Sequence, residues 1–492
     1  MTINCNKNMP FHECELALLR TAIDKSEDIQ GFKAANSSEI KDMVSVVEAF
    51  LKDESLICYG GTAINNILPE KYQFYDKKKE IPDYDFFSPS ALEHAKKLAD
   101  IYGTLGYDEV EAKSGQHFGT YKVYVNFIPI ADITQMDPSL FKQLKQSSIN
   151  IGDILYTPPN MLRMSMYLEL SRPAGDISRW EKVLKRLTLL NTHYPLESKQ
   201  CNYHYFTRKL ESRKDSIGLF NIIKNTLIDN DVVFFGGWAS SVFSKYLSKS
   251  VHKQIKQYPD FDVLSQNAEE TATFLKNVLS RNSVKNISII KHKNLDEILP
   301  YHYEVKVGTD TIAFIYQTIA CYSYNTITDD ARVVKIATID TMLSMYLTFI
   351  YANRSYYDEH RILCMANFLF KVQQKNRLQQ KGPLKRFSIN CYGEQSTKQS
   401  MRAEKTKKYK ELKHDRNSVE YQQRFLNYTP TGTNAKPNAK PNAKPNAKSP
   451  DKTKKTTKKN TKKNTKKTKT SRRKISLKSL KENIKELLAP II

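Results

Sequence analysis

Two short phrases, IPDYDFF at 81–87 and YPDFDVL at 258–264, each place a pair of aspartates inside an apolar run. Asp83 and Asp85 stand at i and i+2. On a strand that spacing aims both carboxylates at one face, while Tyr84 and Phe86 turn into the other. Converging carboxylates repel and are costly to desolvate, so a positive charge belongs between them. Divalent cations that prefer oxygen meet that need, Mg²⁺ foremost and Mn²⁺ as its substitute. A third acid, Asp132, lies in the apolar strand pattern IPIADIT. Upstream, an apolar strand (SLICYG) runs into Gly60, Gly61 and Thr62, and a helical pattern (TAINNIL) follows. Glycines there admit a substrate to the N–H groups of a helix N-terminus, a geometry that binds phosphate, and Thr62 offers a hydroxyl donor beside them. A triphosphate next to a pair of metal ions is the layout for nucleotidyl transfer. Singly, Asp-x-Asp and Gly-Gly are common turn sequences. The ordered set carries the reading: Gly-Gly-Thr, Asp-x-Asp about 20 residues on, and a lone strand Asp nearly 50 beyond.

The elements that position these residues occur twice. ICYGGTAINNIL (57–68) is echoed by VFFGGWASSVFS (233–244), PDYD (82–85) by PDFD (259–262), and SMYL (165–168) by SMYL (344–347). The offsets are 176, 177 and 179 residues, near enough to constant that the chain is a tandem duplication of one domain rather than a solenoid. Each copy runs strand, glycine pair, helix, Asp-x-Asp strand, helix, further strands, then a helical stretch (157–191 and 335–370). In copy 1 the helix after Asp-x-Asp opens on Ser-Pro-Ser, an N-cap signal. Mixed strands and helices predict an α+β class built on two small mixed sheets. The expected organisation is an N-terminal helical segment over 1–39, a nucleotidyltransferase domain over 40–200 and a degenerate copy over 205–385. A connecting region over 386–432 and a Lys-rich tail over 433–492 complete it.

The net charge of +25 is unevenly spread: residues 433–492 carry +17 and the other 432 residues only +8. The tail repeats NAKP and then runs KTKKTTKKNTKKNTKKTKTSRRK, a composition that cannot bury a core and predicts disorder. Solubilisation, salt-sensitive attraction to phosphate and a nuclear-localisation signal all fit that composition. The end, SLKSLKENIKELL, puts Leu477, Leu480, Ile484 and Leu487 on one helical face. No run of about 18 apolar residues predicts a membrane span. Glu13 and Glu15 interrupt any signal-peptide pattern at the N-terminus. Seven scattered cysteines without a Cys-x-x-Cys pair argue against a disulfide framework and for a reducing compartment.

CYGGTAINN, IPDYDFFSPSALEHAKKLADIYGTLGY, HFGTYKVYVNFIPIADIT and MLRMSMYLELSRPAGDISRWEKVLKRLTLLN together resemble the DNA polymerase β-type nucleotidyltransferase superfamily. Within it, the chain resembles the poly(A) polymerase catalytic subunit of poxviruses and giant DNA viruses over roughly residues 20–380. The resemblance implies two nucleotidyltransferase-like domains, only the first active, and template-independent addition of AMP from ATP to RNA 3′ ends. It maps the metal triad onto Asp83, Asp85 and Asp132 and the glycine pair onto Gly60 and Gly61. Thr62 takes the place usually held by Ser. It implies two Mg²⁺ ions and ATP as substrate. The partner would be an RNA 3′ end, with processivity supplied by a separate subunit or by a homodimer. The setting would be the host cytoplasm or viral factory, with packaging in the virion. Two other readings stand beside it: a terminal uridylyl or CCA-adding transferase, and a non-catalytic RNA-binding scaffold. In copy 2, Trp238 replaces Thr62 and would crowd the phosphate site. Phe314 or Tyr316 stands where the third acid should be, with Asp310 and Glu304 close in sequence.

Arg163, Arg172, Lys182 and Lys185 are candidates to touch the triphosphate, each balanced by a solvated-face alternative. Trp180 is read as a packing residue. YHYF (203–206) beside Arg208 has the make-up of a base-stacking surface. His12 with Cys14, and His292 with His302, lack metal-ligand spacing.

Overall fold

The structure is a computed structural model, and it describes residues 9–76, 78–196, 201, 216–255, 259–296 and 298–430. The Lys-rich tail, its terminal amphipathic piece and YHYF with Arg208 lie outside the described residues. Two helices, α1 (Phe11–Ala35) and α2 (Ser38–Asp53), lead into the first copy. There follow β1 (Ile57–Tyr59), α3 (Gly60–Ile67), β2 (Tyr84–Ser88), α4 (Ala91–Thr104), β3 (Val110–Ser114), β4 (Thr120–Val125) and β5 (Ile128–Gln135). The first copy closes with α5 (Pro138–Ser147), β6 (Ile149–Ile151), β7 (Ile154–Tyr156), α6 (Pro159–Leu170) and α7 (Trp180–His193).

The second copy begins with α8 (Ser216–Asp229), β8 (Val233–Phe235), α9 (Gly236–Ser244), α10 (Lys249–Ile255), β9 (Phe261–Ser265) and α11 (Ala268–Arg281). It continues through β10 (Ile287–His292), β11 (His302–Val307), β12 (Asp310–Gln317), β13 (Tyr322–Asp329) and β14 (Arg332–Ala337) to α12 (Ile339–Tyr351) and α13 (Glu359–Lys375). The last described elements are β15 (Cys391–Tyr392), α14 (Lys398–Leu412), α15 (Val419–Phe425) and β16 (Asn427–Tyr428).

Each copy builds one mixed eight-stranded sheet. The orders are β16-β3-β4-β5-β2-β1-β7-β6 and β10-β11-β12-β9-β8-β14-β13-β15. Seven strands of each correspond one to one, β3 with β10 through β6 with β13, so the repeated phrases do mark one topology used twice. The fold is α+β, with two mixed sheets and flanking helices, as the sequence pattern predicts. Alternation places the chemistry: along β2, Tyr84, Phe86 and Ser88 are buried, while Asp85 and Phe87 lie half-buried on the opposite face. Helix α6 packs on α12 between the copies, and the Ser323 N–H donates across to the Ser171 carbonyl at 2.9 Å. The last described strand, β16, returns to the first copy and pairs with the edge strand β3. Tyr428 also donates to Asp100 at 2.6 Å.

The structure departs from the sequence pattern in several places. Strands β3, β6 and β7 fall outside the sequence pattern, because β3 is mostly polar and β6 and β7 have three residues each. Ser-Pro-Ser does precede α4, but Ser90 caps nothing with its own side chain. The first donors go instead to Ser88 Oγ, from Ser90 N at 2.9 Å, and to Gln135 Oε1, from Ala91 N at 2.9 Å. The expectation of unpaired cysteines is overturned: Cys201 is joined to Cys364, and Cys321 to Cys391. Pairing of β13 with β15 brings the second pair together over 70 residues of sequence, a proximity no spacing rule reveals. Cys58 is free and buried. Among the described residues no helix is long and apolar enough to cross a membrane.

In copy 2, His292 and His302 anchor an aromatic cluster with Phe314, Tyr316 and Tyr356. His302 is fully buried; its Nδ1–H donates to the Pro300 carbonyl at 3.1 Å and its Nε2 accepts from the Tyr356 hydroxyl at 2.9 Å. Burial pulls its pKa down from 6.5 to about 4. The fold therefore favours the neutral ring, and the stability this confers, fully present above pH 6.5, is lost as pH falls towards 4. The loss should reach about 3 kcal/mol. Denaturant unfolding between pH 7 and 4 should show it, and His302→Asn should flatten that acid limb.

Candidate active site

The site is built on a sharp elbow. Strand β1 ends at Tyr59 and the chain turns into α3 at Gly60, whose φ of +72° favours glycine. A Cβ on Gly60 would stand 2.4 Å from Asp85 Oδ2, so glycine is required a second time, to let that carboxylate approach. Thr62 is buried, and its hydroxyl donates to the Asp83 carbonyl at 2.6 Å. The sequence reading gives that hydroxyl to a phosphate. In the fold that hydroxyl is turned to the chain itself and fixes the backbone of the first acid.

Asp83 immediately precedes β2, and Asp85 lies within it. Parallel pairing of β2 with β5 sets Asp85 directly beside Asp132. Antiparallel pairing of β4 with β5 sets Lys122 beside Asp132, and the Lys122 ammonium donates to the Asp132 carboxylate. The three acids thus share one face and feel one another. Burial first, then Asp83 and Asp132, push the Asp85 carboxyl up to about 7, against the pull of Lys122 and Arg179. Burial and Asp132 raise Asp83 as well, offset by Lys122 and Lys182. Among the described residues no three acids, histidines or cysteines form a ready-made metal cage. The donor set nevertheless fits hard divalent cations. It is all carboxylate oxygen, burial and then mutual repulsion hold two of its members above their usual range, and among the described residues the cation bonded to it is Lys122.

A cationic helix face lies opposite. Val183, Leu187 and Leu190 bury one side of α7. Arg179, Lys182 and Arg186 follow helical spacing on another side, and their influence reaches Asp85, Asp83 and Tyr75 respectively. Of the sequence candidates, Lys182 is the one whose charge acts on Asp83. Lys185 is exposed and paired with Glu181 at 2.7 Å. Arg172 lines a cleft with Phe118 and Arg424. Arg163 is corrected outright: it is buried and bonded to Asn191 at 2.7 Å, Asn160 and the Tyr194 carbonyl, a structural arginine. Trp180 packs as expected, donating to the Glu169 carbonyl at 3.1 Å. Lys122, Arg179, Tyr75 and Arg186 were missed. The alternation of β4 and the 179/182/186 spacing could have found three of them; no sequence signal marks Tyr75.

The second copy keeps the elbow but not the third acid. Gly236 has φ +74°, and a Cβ there would stand 2.0 Å from Asp262 Oδ2, the same lock as Gly60 with Asp85. Register decides which residue replaced the third acid: Asp262 pairs with Phe314, and Phe314 pairs with Glu304. Phe314 therefore stands at the Asp132 position and Glu304 at that of Lys122. Glu304 is bound to His292 at 2.9 Å and to Thr311, while Asp310 lies at the far end of β12 opposite Val307. Trp238 does not crowd a phosphate site; it is buried beside Phe234 and Phe261, pointing inward as Thr62 does.

Strand order and elbow together define one α+β unit used in tandem. Residues 45–176, which hold the elbow and all three acids, match the family model of the poly(A) polymerase catalytic subunit. The protein assigned as that subunit in African swine fever virus (isolate Tick/Malawi/Lil 20-1/1983) is 31% identical over 180 residues, covering 35% of this chain and 38% of the relative. Its counterpart in Acanthamoeba polyphaga mimivirus is 33% identical over 165 residues, covering 32% of this chain and 27% of the relative. The chain thus matches well under two thirds of the length of these curated relatives. The Megavirus polyadenylate synthase superimposes with a TM-score of 0.72 at 21% identity, over 87% of this chain and 88% of that one, and so shares its fold. The chain resembles the viral poly(A) polymerase catalytic subunits in sequence around the site, and the Megavirus polyadenylate synthase in fold over 87% of its length.

If the elbow is a packing unit in both copies, Gly60→Ala and Gly236→Ala should each destabilise the protein by about 2 kcal/mol or more, from a strained φ and a displaced buried carboxylate. Thermal unfolding of the two variants should show comparable losses.

Proposed function

We propose that this chain is a polynucleotide adenylyltransferase that adds AMP from ATP to RNA 3′ ends without a template, in the polyadenylation of mRNA. The observation that carries the proposal is the alignment of Asp85 with Asp132 on adjacent strands, Asp83 one step away, at a glycine elbow facing a cationic helix. The catalytic and metal-holding residues are Asp83, Asp85 and Asp132, and the triphosphate lies against Gly60 and Gly61. Asp83, Asp85 and Asp132 would hold a pair of divalent ions, Mg²⁺ or Mn²⁺, which when bound would supply the positive charge that favours ionisation of the RNA 3′-hydroxyl and departure of pyrophosphate.

The chain's own side chains do the rest. Lys122 neutralises Asp132. Lys182 and Arg186, from the opposing helix, balance triphosphate charge, and the fixed β2–β5 register keeps the acids from drifting apart as they gain a shared partner. The second copy, its third acid replaced by Phe314 and its face filled with aromatic rings, supports the first. The partners in this proposal are RNA, ATP and either a second copy of the chain or a separate processivity subunit, acting in the host cytoplasm or viral factory.

Incubating the purified chain with an RNA primer and each nucleoside triphosphate separately tests the proposal. Extension should occur with ATP and far less with UTP or CTP. Asp85→Ala and Asp132→Ala should each lower the rate by about 10³-fold or more while RNA binding stays within about twofold. Preferred use of UTP would indicate a uridylyl transferase, and unchanged behaviour of both variants a scaffold.

A further inference from the structure

The second glycine of the elbow is already covered by the chain itself. A Cβ on Gly61 would lie 2.3 Å from the Tyr75 hydroxyl oxygen, and 2.9 and 3.0 Å from the two terminal nitrogens of Arg186. Arg186 Nη2 donates to Tyr75 Oη at 2.6 Å. The guanidinium also lies 5.0 Å from the Phe74 ring centre and 5.5 Å from that of Tyr75. Among the described residues Arg186 has no ion-pair partner; Glu169 acts on it only at a distance. A phenolic oxygen thus stands against the elbow glycine, accepting from an arginine, where a phosphate oxygen would do both.

The segment that carries Tyr75 is held on both sides of it. Asn65 Oδ1, on α3, accepts from Phe74 N at 2.7 Å and Tyr75 N at 2.9 Å. Beyond it, Asn36 donates to the Lys78 carbonyl at 2.9 Å, and Lys79 pairs with Asp28 of α1 at 3.1 Å. The backbone is pinned, so the ring can swing on its own side-chain torsions without unfolding the segment.

We propose that Tyr75 is a latch on the triphosphate site and that Arg186 is the triphosphate cation it holds in place. This rests on the adenylyltransferase proposal. A triphosphate cannot reach Gly61 until the Tyr75 hydroxyl leaves. When it does, the neutral phenol acceptor of Arg186 is exchanged for an anionic oxygen. The guanidinium is charged in both bonds, but only the phosphate oxygen brings the opposite charge and a geometry the planar fork can grip with two N–H groups, so the exchange favours the nucleotide. The latch costs binding affinity and in return keeps Arg186 oriented towards the glycines.

The test is equilibrium titration of the full chain with ATP and Mg²⁺ in the absence of RNA, read by calorimetry. Tyr75→Phe keeps the ring and its packing on Phe74 and removes only the hydroxyl; it should bind ATP about fivefold more tightly than the parent chain. Arg186→Gln should bind about tenfold more weakly or worse, and Arg186→Lys should recover part of that loss. The double variant should match Arg186→Gln alone, since the hydroxyl acts through the guanidinium; a merely structural role would give additive losses. Parent-like or weaker binding by Tyr75→Phe, with the parent chain binding ATP, overturns the latch and leaves the adenylyltransferase proposal standing. Absence of ATP binding by both the parent chain and Tyr75→Phe overturns both.

Discussion

A carboxylate oxygen of Asp85 rests where a side chain on Gly60 would begin, and most of the site follows from that contact. It forces the turn from β1 into α3 to be made by glycine at positive φ. It seats Asp85 beside the start of a helix, where the backbone N–H groups favour negative charge. Because β2 and β5 are locked in register through the sheet, seating Asp85 also seats Asp132. The result is a cluster of acids that desolvation makes uncomfortable, with Asp85 raised to about 7. Such a cluster is stable only because the sheet beneath it is over-determined by packing, and its strain is relieved by any cation that arrives.

The second copy separates what this contact requires from what chemistry requires. Gly236 and Asp262 keep the same close approach, although Phe314 has taken the third position and rings of His302, Tyr316 and Phe349 fill the face. The elbow and its carboxylate are therefore retained for architecture. Asp132, whose removal costs no elbow, is the acid that distinguishes the copies. A repeated Asp-x-Asp is evidence for a repeated fold, and only the register partner of its second member speaks to activity.

Much of this was legible in the sequence, and for identifiable reasons. Period-two alternation in DYDFFS is strong enough to predict which way Asp85 and Tyr84 face, and the constant offset between repeated phrases gives the duplication without any structural knowledge. The α+β class follows from the alternation of element types. What stayed hidden depended on tertiary register or on side chains reaching across long sequence gaps. Phe314 could not be told from Tyr316 until β9 and β12 were paired. The direction of Thr62 depends on how α3 leaves its strand, and Arg163 looks like any helical arginine until Asn191 and the Tyr194 carbonyl close round it. Tyr75 lies in an irregular segment with neither period nor motif, so its meeting with Arg186, 111 residues away, exists only in three dimensions.

The return of β16 to the edge of the first sheet has a consequence for the covalent order of the chain. The strand that shields β3 comes from beyond the second copy. Tyr121 likewise donates to the Gln423 carbonyl at 3.1 Å, and Ser114 to the Arg424 carbonyl at 2.9 Å. Severing the polypeptide between the copies would leave the first with a bare hydrogen-bonding edge, an open invitation to strand-on-strand aggregation. A free-standing first half would need residues near 415–430 fused onto it, so the two halves are interdependent through a strap as well as through the packing of α6 on α12.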